Sequence, residues 1–201
     1  MSNIRIFVSH RIDIDSETVD TPVYFPVRCG AVYDEEGNSE IQGDDTGDNI
    51  SKLRMSFCEF TVQYWAWKNV DADYYGLCHY RRYLSFSDKR YKNTVFNMVR
   101  ELKLTPHEKK KYHLDDTKKI EKTVKQYDMI IPVVAKASEM SYNRAEVKTL
   151  REMWESYNGV YFEQGIIDKM FSLIKEYSPE YYNSACEYFS GCLLYTSDAA
   201  D

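Results

Sequence analysis

The sequence predicts an α/β fold in a single domain. Three observations lead to this prediction: short apolar runs typical of buried strands, longer segments with helical periodicity, and the alternation of the two along the chain. The strand-like runs lie at residues 4–9, 74–79 and 128–134, and the helical segments at residues 56–69, 145–157 and 163–177. With 201 residues, 43% of them apolar, the chain can form a real hydrophobic core.

The first part of the chain is expected to begin with a strand and end with a helix. Residues 4–9 are rich in Ile, Phe and Val and alternate weakly. Residues 23–33 indicate a short extended piece, and the Gly/Asp-rich segment at residues 40–51 suits a surface loop.

The segment 56–69 predicts a helix with one apolar stripe. The stripe consists of residues three, four and three positions apart, namely Phe57, Phe60, Tyr64 and Trp67. Cys58, Thr61 and Trp65 widen that face. We expect at least one of Trp65 and Trp67 to lie in the core.

The remaining elements follow the same alternation. Residues 88–126 are strongly polar and predict one or two helices, the second at about residues 116–127, as an excursion from the core. Pro132 places the far half of the strand 128–134 at an edge or a bend. The last helix stops before Pro179.

Composition excludes some functions and leaves others open. The net charge of −6 argues against a nonspecific nucleic-acid binder. The 18 tyrosines and three tryptophans offer flat apolar faces with a polar edge, which suit sugar or base recognition as well as ordinary packing. The five scattered cysteines contain no CxxC pair, so they indicate neither a disulfide framework nor a zinc site.

The start of the chain indicates where the protein resides. Its first apolar stretch is too short for a signal peptide, and no stretch approaches the ~18 apolar residues of a spanning helix. We therefore expect a cytoplasmic protein, with peripheral contact to membrane assembly machinery at the inner face of the membrane as an open alternative.

The last ten residues, CLLYTSDAAD, differ from the rest of the chain. They match, codon by codon, the translation of a transposase sequencing adapter, TGT CTC TTA TAC ACA TCT GAC GCT GCC GAC. We expect a native domain at residues 1–191, truncated at its C-terminus, followed by adapter read-through at residues 192–201. An uninterrupted gene that encodes this tail would refute the idea.

The run GLCHYRRYL takes a buried strand directly into His79, Tyr80, Arg81 and Arg82. In open α/β sheets, ligands bind where the strands end. Each guanidinium offers a rigid fork of donors that fits a carboxylate or a phosphate. The alternative is that both arginines pair with Asp or Glu at the edge of the core. In an extended chain the two point opposite ways, so at most one faces a given cleft.

The loop GDDTGDNIS is a second candidate site. Gly43 and Gly47 allow close backbone approach. Asp48 and Asn49 suit the hydroxyls of a ribose or a sugar, or they cap the helix that follows.

The third candidate, the DAD sequence at residues 71–73, superficially matches a metal-binding DxD. It precedes the strand, whereas a metal-binding DxD would follow it, so we interpret it as a turn. Cations then occupy the place of metal-binding carboxylates, where they can neutralise a leaving diphosphate directly.

These motifs resemble the signature of a bacterial capsular and exopolysaccharide glycosyltransferase family, long catalogued as a domain of unknown function. The motifs that carry the resemblance are FVSH (7–10), RCGA (28–31), TGDNIS (46–51), CEFTVQYWAWKN (58–69), GLCHYRRYL (76–84), YDMIIP (127–132) and the P-x-Y of SPEYY (178–182). The resemblance implies a GT-A-like, Rossmann-like fold that binds a nucleotide-sugar donor, with a capsular polysaccharide, exopolysaccharide or lipid-linked oligosaccharide as acceptor. The family continues beyond the point where this chain ends.

From this resemblance we expect the TGDNIS loop and the GLCHYRRY strand end to form opposing parts of a site for a UDP-sugar. Arg81 or Arg82 would hold the diphosphate, and His79 would contact the diphosphate or the acceptor. Asp48 would contact the sugar or act as acid or base. The other donor-binding candidates are Thr46, Gly47, Asn49, Tyr80 and Tyr83.

A different class of function stays open. Without a correctly placed DxD, dependence on Mn²⁺ or Mg²⁺ is undecided, and the chain also fits a noncatalytic carbohydrate-binding or partner-binding subunit of a polysaccharide assembly complex.

Overall fold

The computed structural model describes residues 2–35, 40–89, 91, 98–100, 103–131, 135–142 and 145–194. The chain forms two compact units, Met1–Ile130 and Ile131–Asp198. The expected domain at residues 1–191 therefore spans both units. Residues 195–201 of the expected read-through lie outside the described residues.

The first unit is built on a mixed sheet of six strands. The strands are β1 (Ile4–Arg11), β2 (Tyr24–Cys29), β3 (Gln42–Gly43), β4 (Tyr74–His79), β5 (Arg82–Leu84) and β6 (Met98–Arg100). Their order in the sheet is β3-β2-β1-β4-β5-β6. The first four run parallel, whereas β5 and β6 pair antiparallel. This confirms the α/β prediction and the predicted strands at residues 4–9 and 74–79.

The helices of this unit are α1 (Arg54–Phe57), α2 (Phe60–Asn69), α3 (Pro106–Lys111) and α4 (Thr117–Val124). Of these, α2 and α4 contribute buried side chains to the two faces of the sheet. Since side chains alternate along a strand, Phe7 of β1 packs with α2 while Val8 packs on the opposite face with Ile120 of α4. The polar segment expected as an excursion also contributes the buried side chains of Leu104 and Tyr112 to that second face.

The predicted helix at residues 56–69 is confirmed only in part. It breaks at Cys58, whose φ of 45° is incompatible with a continuing α-helix. α2 packs on the sheet through Thr61, Val62, Trp65 and Ala66, of which Thr61 and Trp65 belong to the predicted wider face. The predicted stripe faces outward instead. Of the two tryptophans, Trp65 lies in the core, as expected.

The predicted strand at residues 128–134 is also wrong where it can be examined. Residues 128–131 belong to no strand, and residues 132–134 lie outside the described residues. The edge of β4 that such a strand would need is already occupied, because β4 turns back into β5.

The second unit is mainly helical. It contains β7 (Ala135–Lys136), α5 (Ala137–Met140), α6 (Leu150–Glu155), α7 (Ile166–Tyr177), α8 (Tyr182–Ser190) and β8 (Leu193–Leu194). Thr149 and Glu152 form a capping box that starts α6. The predicted helix at residues 163–177 is confirmed, and the one at residues 145–157 is shorter than expected.

Candidate functional site

The carboxyl ends of the parallel strands bring several polar groups to one edge of the sheet. In the register of the sheet, Ser9 lies beside His79, and Arg11 lies beside Cys29. The side chains that follow β1, β2 and β4 therefore share this edge, which is where open α/β sheets bind ligands. We call it the carboxyl edge.

The HYRR motif forms a tight hairpin at the carboxyl edge. His79 of β4 pairs with Arg82 of β5, so Tyr80 and Arg81 form the tip of the turn. Arg82 is buried, whereas Arg81 is partly exposed with its guanidinium carbon 5.3 Å from the centre of the Tyr80 ring. The two arginines therefore have different surroundings, as their adjacent positions predict.

His79 fixes this turn through both of its ring nitrogens. Nδ1 accepts a hydrogen bond of 3.1 Å from the backbone N–H of Arg81. The ring proton of neutral His79 therefore lies on Nε2, 3.5 Å from Oε1 of Glu59. The second carboxylate oxygen of Glu59 is buried and has no hydrogen-bond partner among the described residues. A carboxylate thus lies next to the turn that presents Arg81.

A second histidine supports the same turn from β1. His10 is buried, with Nδ1 2.5 Å from the Ser16 hydroxyl and Nε2 2.6 Å from the Thr18 hydroxyl. Its ring lies 6.2 Å from that of Tyr80, measured between centroids. Burial lowers the pKa of His10 to about 4, although Asp15 opposes the shift. At neutral pH this ring is uncharged.

His10 should make stability depend on pH. Because its folded-state pKa is depressed, the unfolded chain binds more protons between about pH 6.5 and 4, and stability falls as the pH is lowered through this window. The contribution of His10 to the free energy of unfolding changes by at most about 1.4 kcal/mol for each pH unit. Urea unfolding at several pH values should show a shallower slope for His10→Gln than for the wild type. Equal slopes would contradict the prediction.

Two further arginines lie at the carboxyl edge around Asp13. Arg11 binds both carboxylate oxygens of Asp13, at 2.8 and 2.5 Å, and holds the pKa of that carboxyl below its usual value. Arg54 lies 3.8 Å from the same carboxylate. Its side chain crosses Gly30, which has a φ of 70° and leaves no room for a Cβ. The edge therefore carries the guanidinium groups of Arg11, Arg54 and Arg81, with those of Arg28 and the buried Arg82 beside them. Such a group of cations suits a phosphate-bearing ligand.

A fully buried carboxylate holds the adjacent loops together. Asp44 accepts hydrogen bonds from the backbone N–H groups of Gly30 and Ala31, both at 2.9 Å. It also accepts from the hydroxyls of Ser51 and Thr61, both at 2.5 Å. Asp44 thereby joins the end of β2, the loop after β3 and the first turn of α2.

The structure places the TGDN part of the loop on α2. Thr46 accepts a 3.0 Å hydrogen bond from the Trp65 indole, and Asp48 accepts one of 3.1 Å from the Tyr64 hydroxyl. Gly47, with a φ of 58°, lies against the side chain of Asn69. Asn49 folds back onto its own loop by donating to the carbonyls of residues 45 and 47.

The predicted site residues therefore form two separate groups. Glu59 contacts His79 just before α2, whereas Asn69 at the end of α2 contacts the backbone of Asp48. His79, Tyr80, Arg81 and Arg82 lie together near the start of α2. Thr46, Gly47, Asp48 and Asn49 lie together along the helix from its middle, at Tyr64 and Trp65, to its end at Asn69.

Two other predicted positions lie away from the carboxyl edge. Tyr83 is buried in the core, with its ring 5.5 Å from that of Tyr24, and burial raises its pKa. The DAD sequence precedes β4 at the opposite edge of the sheet, where Asp73 accepts a hydrogen bond of 2.8 Å from the backbone N–H of Asn3. This agrees with its interpretation as a turn.

Sequence reasoning missed several residues at the carboxyl edge. Asp44 lies in the candidate loop GDDTGDNIS, and Glu59 lies in the motif CEFTVQYWAWKN. Neither was predicted as a site residue, because only the folded structure shows that their carboxylates point inward. His10 and Arg11 could have been predicted as site residues, because they directly follow the first predicted strand.

Two kinds of feature are absent from the described residues. They contain no group of three or more His, Cys, Asp or Glu side chains arranged to hold a metal ion. No helix among them is long and apolar enough to cross a membrane.

Comparison with known proteins gives two matches. The model of a family described as "Domain of unknown function (DUF4422)" matches residues 5–197. The apo structure of WbbM, a bifunctional glycosyltransferase, matches with a TM-score of 0.80 and 26% sequence identity, over 98% of this chain and 33% of that chain. The chain thus spans about a third of the length of WbbM. No curated protein matches the sequence.

Proposed function

Because the chain belongs to the DUF4422 family, and because its fold matches part of a bifunctional glycosyltransferase, we propose that it is a glycosyltransferase. The observation that carries this proposal is the structural match over 98% of the chain. The donor is a nucleotide sugar, with a UDP-sugar as the first candidate. The acceptor is a glycan or a lipid-linked oligosaccharide of a capsular polysaccharide or an exopolysaccharide.

The donor diphosphate binds at the carboxyl edge in this proposal. Arg81 is the better candidate for the contact, because it is partly exposed at the tip of the hairpin while Arg82 is buried. Arg11 and Arg54 add positive charge at the same edge. Cations placed there stabilise the negative charge that develops on the leaving diphosphate.

His79 and Glu59 position Arg81 rather than transfer protons. Both nitrogens of His79 are engaged, one by the Arg81 backbone and the other by Glu59. Protonating Nδ1 would break the bond to the Arg81 N–H, because both groups would then be donors. The Glu59 carboxylate therefore orients His79, and His79 orients the turn.

Residues 46–49 have a supporting role in this proposal. Their contacts with Tyr64, Trp65 and Asn69 fix the loop on α2. Assignment of Asp48 to acid or base chemistry requires a ligand that extends from the Arg81 turn, near the start of α2, to the middle of that helix, where the Asp48 carboxylate meets Tyr64.

Donor-dependent thermal stabilisation tests the proposal. At about 100 times its Kd, a bound nucleotide sugar stabilises the folded protein by about 2.7 kcal/mol, which shifts the Tm by roughly 5–10 °C in a chain of this size. A panel of UDP-sugars should be measured with and without Mn²⁺. A shift that requires Mn²⁺ would reveal metal dependence. Absence of any shift, together with glycan binding, would favour a noncatalytic binding module.

A further inference from the structure

The outward side of α1 and α2 is apolar. We call it the outer face, and it is formed by Leu53, Met55, Phe57, Phe60, Tyr64 and Trp67. Met55 is 87% exposed, Phe60 54% and Trp67 65%. On α2, Phe60, Tyr64 and Trp67 recur at helical spacing and therefore form one stripe. An exposed apolar stripe of this kind marks an interaction site.

The charges that remain on the outer face are positive. Residues 52–68 contain four charged side chains: Lys52, Arg54, Glu59 and Lys68. Glu59 turns toward His79, and Arg54 turns toward Asp13. Lys52 and Lys68 are exposed, although the whole chain has a net charge of −6. Lys68 lies with its Nζ 3.7 Å from the centre of the Trp67 ring, so cation and aromatic surface are adjacent.

We propose that the outer face docks onto the surface of an anionic lipid bilayer. Trp and Tyr rings with Phe, Leu and Met on the same side are typical of helices that lie in the headgroup region. Lys52 and Lys68 meet the headgroup phosphates, and each such lysine strengthens binding about fivefold. At the margin of this face, Asp48 accepts a hydrogen bond from the Tyr64 hydroxyl.

Other occupants fit the outer face less well. A glycan would stack on Trp67 and Tyr64 but would leave Leu53 and Met55 without an apolar partner. A second copy in a two-fold dimer would cover the apolar side chains with the same face, which brings Lys52 and Lys68 of both copies to one interface. The bilayer satisfies both the apolar and the positive groups. The inference is independent of the proposed function, since lipid binding is measured without a nucleotide sugar.

Vesicle flotation of the full chain tests this inference. We expect binding to vesicles of phosphatidylcholine with about 30% phosphatidylglycerol, and much weaker binding to pure phosphatidylcholine. The double substitution Met55→Ser/Trp67→Ser should lower the partition coefficient about tenfold or more, because it removes two inserted side chains. Lys52→Glu/Lys68→Glu should lower it to a similar extent at low salt.

Matched substitutions elsewhere provide the control. Met129 and Tyr177 are also well exposed, so Met129→Ser/Tyr177→Ser should change the partition coefficient by less than about twofold. The inference is overturned if anionic vesicles are not bound, or if the control pair reduces binding as much as Met55→Ser/Trp67→Ser. Light scattering that shows a dimer, abolished by Met55→Ser/Trp67→Ser and without vesicle binding, would instead assign the outer face to a second copy.

Discussion

Replacing Asp44 with alanine is expected to lower the free energy of unfolding of the first unit by about 3–5 kcal/mol. Asp44 is completely buried and accepts four hydrogen bonds. Without it, the backbone N–H groups of Gly30 and Ala31 stay buried with no acceptor. Because domains of this size are stable by only about 5–15 kcal/mol, the loss is a large part of the total. Urea unfolding followed by circular dichroism measures it.

The neighbouring carboxylate is the natural control. Asp45 is exposed, so Asp45→Ala should change the free energy of unfolding by no more than about 0.5 kcal/mol. Asp44→Asn keeps the side-chain shape but turns one acceptor into a donor, and it should lie between the two. If Asp44→Ala and Asp45→Ala had equal effects, Asp44 would not be the group that joins these loops.

Arg81→Ala is expected to reduce kcat/KM for sugar transfer about 100- to 1000-fold, the effect of removing one donor that stabilises developing negative charge. Its guanidinium lies at the tip of the β4–β5 turn, over Tyr80. Truncation there should leave the fold intact. Release of the nucleoside diphosphate from a UDP-sugar measures the rate, and circular dichroism checks the fold.

A second arginine serves as the comparison for Arg81. Arg151 is half-exposed and paired with Glu155 and Asp168 in the second unit. We expect Arg151→Ala to change kcat/KM by less than about threefold, since it lacks the placement at the carboxyl edge. If a folded Arg81→Ala variant kept the wild-type kcat/KM, Arg81 would not be the residue that binds the diphosphate.

The local sequence pattern was sufficient to predict the central strands, because their own residues are mostly apolar. Residues 4–9 and 74–79 are mostly apolar, and both form central strands of the sheet. The first run is followed by His10 and the second ends in His79, so the sequence already located part of the carboxyl edge. The short strands β3, β5 and β6 were not predicted, because two or three residues give no period to detect.

The orientation of α2 could not be read from its apolar residues. Large rings at Phe60, Tyr64 and Trp67 formed the more obvious stripe, yet the helix buries Thr61, Val62, Trp65 and Ala66 instead. On that buried face Thr61 donates a hydrogen bond to the Asp44 carboxylate. Tertiary contacts therefore decided which of two possible faces was buried.

In the candidate site too, local contacts could be predicted from the sequence, whereas contacts between distant residues could not. The grouping of His79, Tyr80 and Arg81 follows directly from their adjacency. Glu59 lies 20 residues from His79, and Asp44 lies between 7 and 17 residues from its four partners, so no local spacing indicates those contacts. Likewise, no local pattern indicates that His79 contacts the start of α2 and Asp48 its middle.

Hydrogen–deuterium exchange with and without a nucleotide sugar tests the central claim most directly. The sugar nucleotide used is the one that gives the largest thermal shift. We predict slower exchange at the backbone amides near the ends of β1 and β2 and in the turn at residues 79–82. Protection confined to other parts of the first unit, or to the second unit, would contradict a donor site at the carboxyl edge.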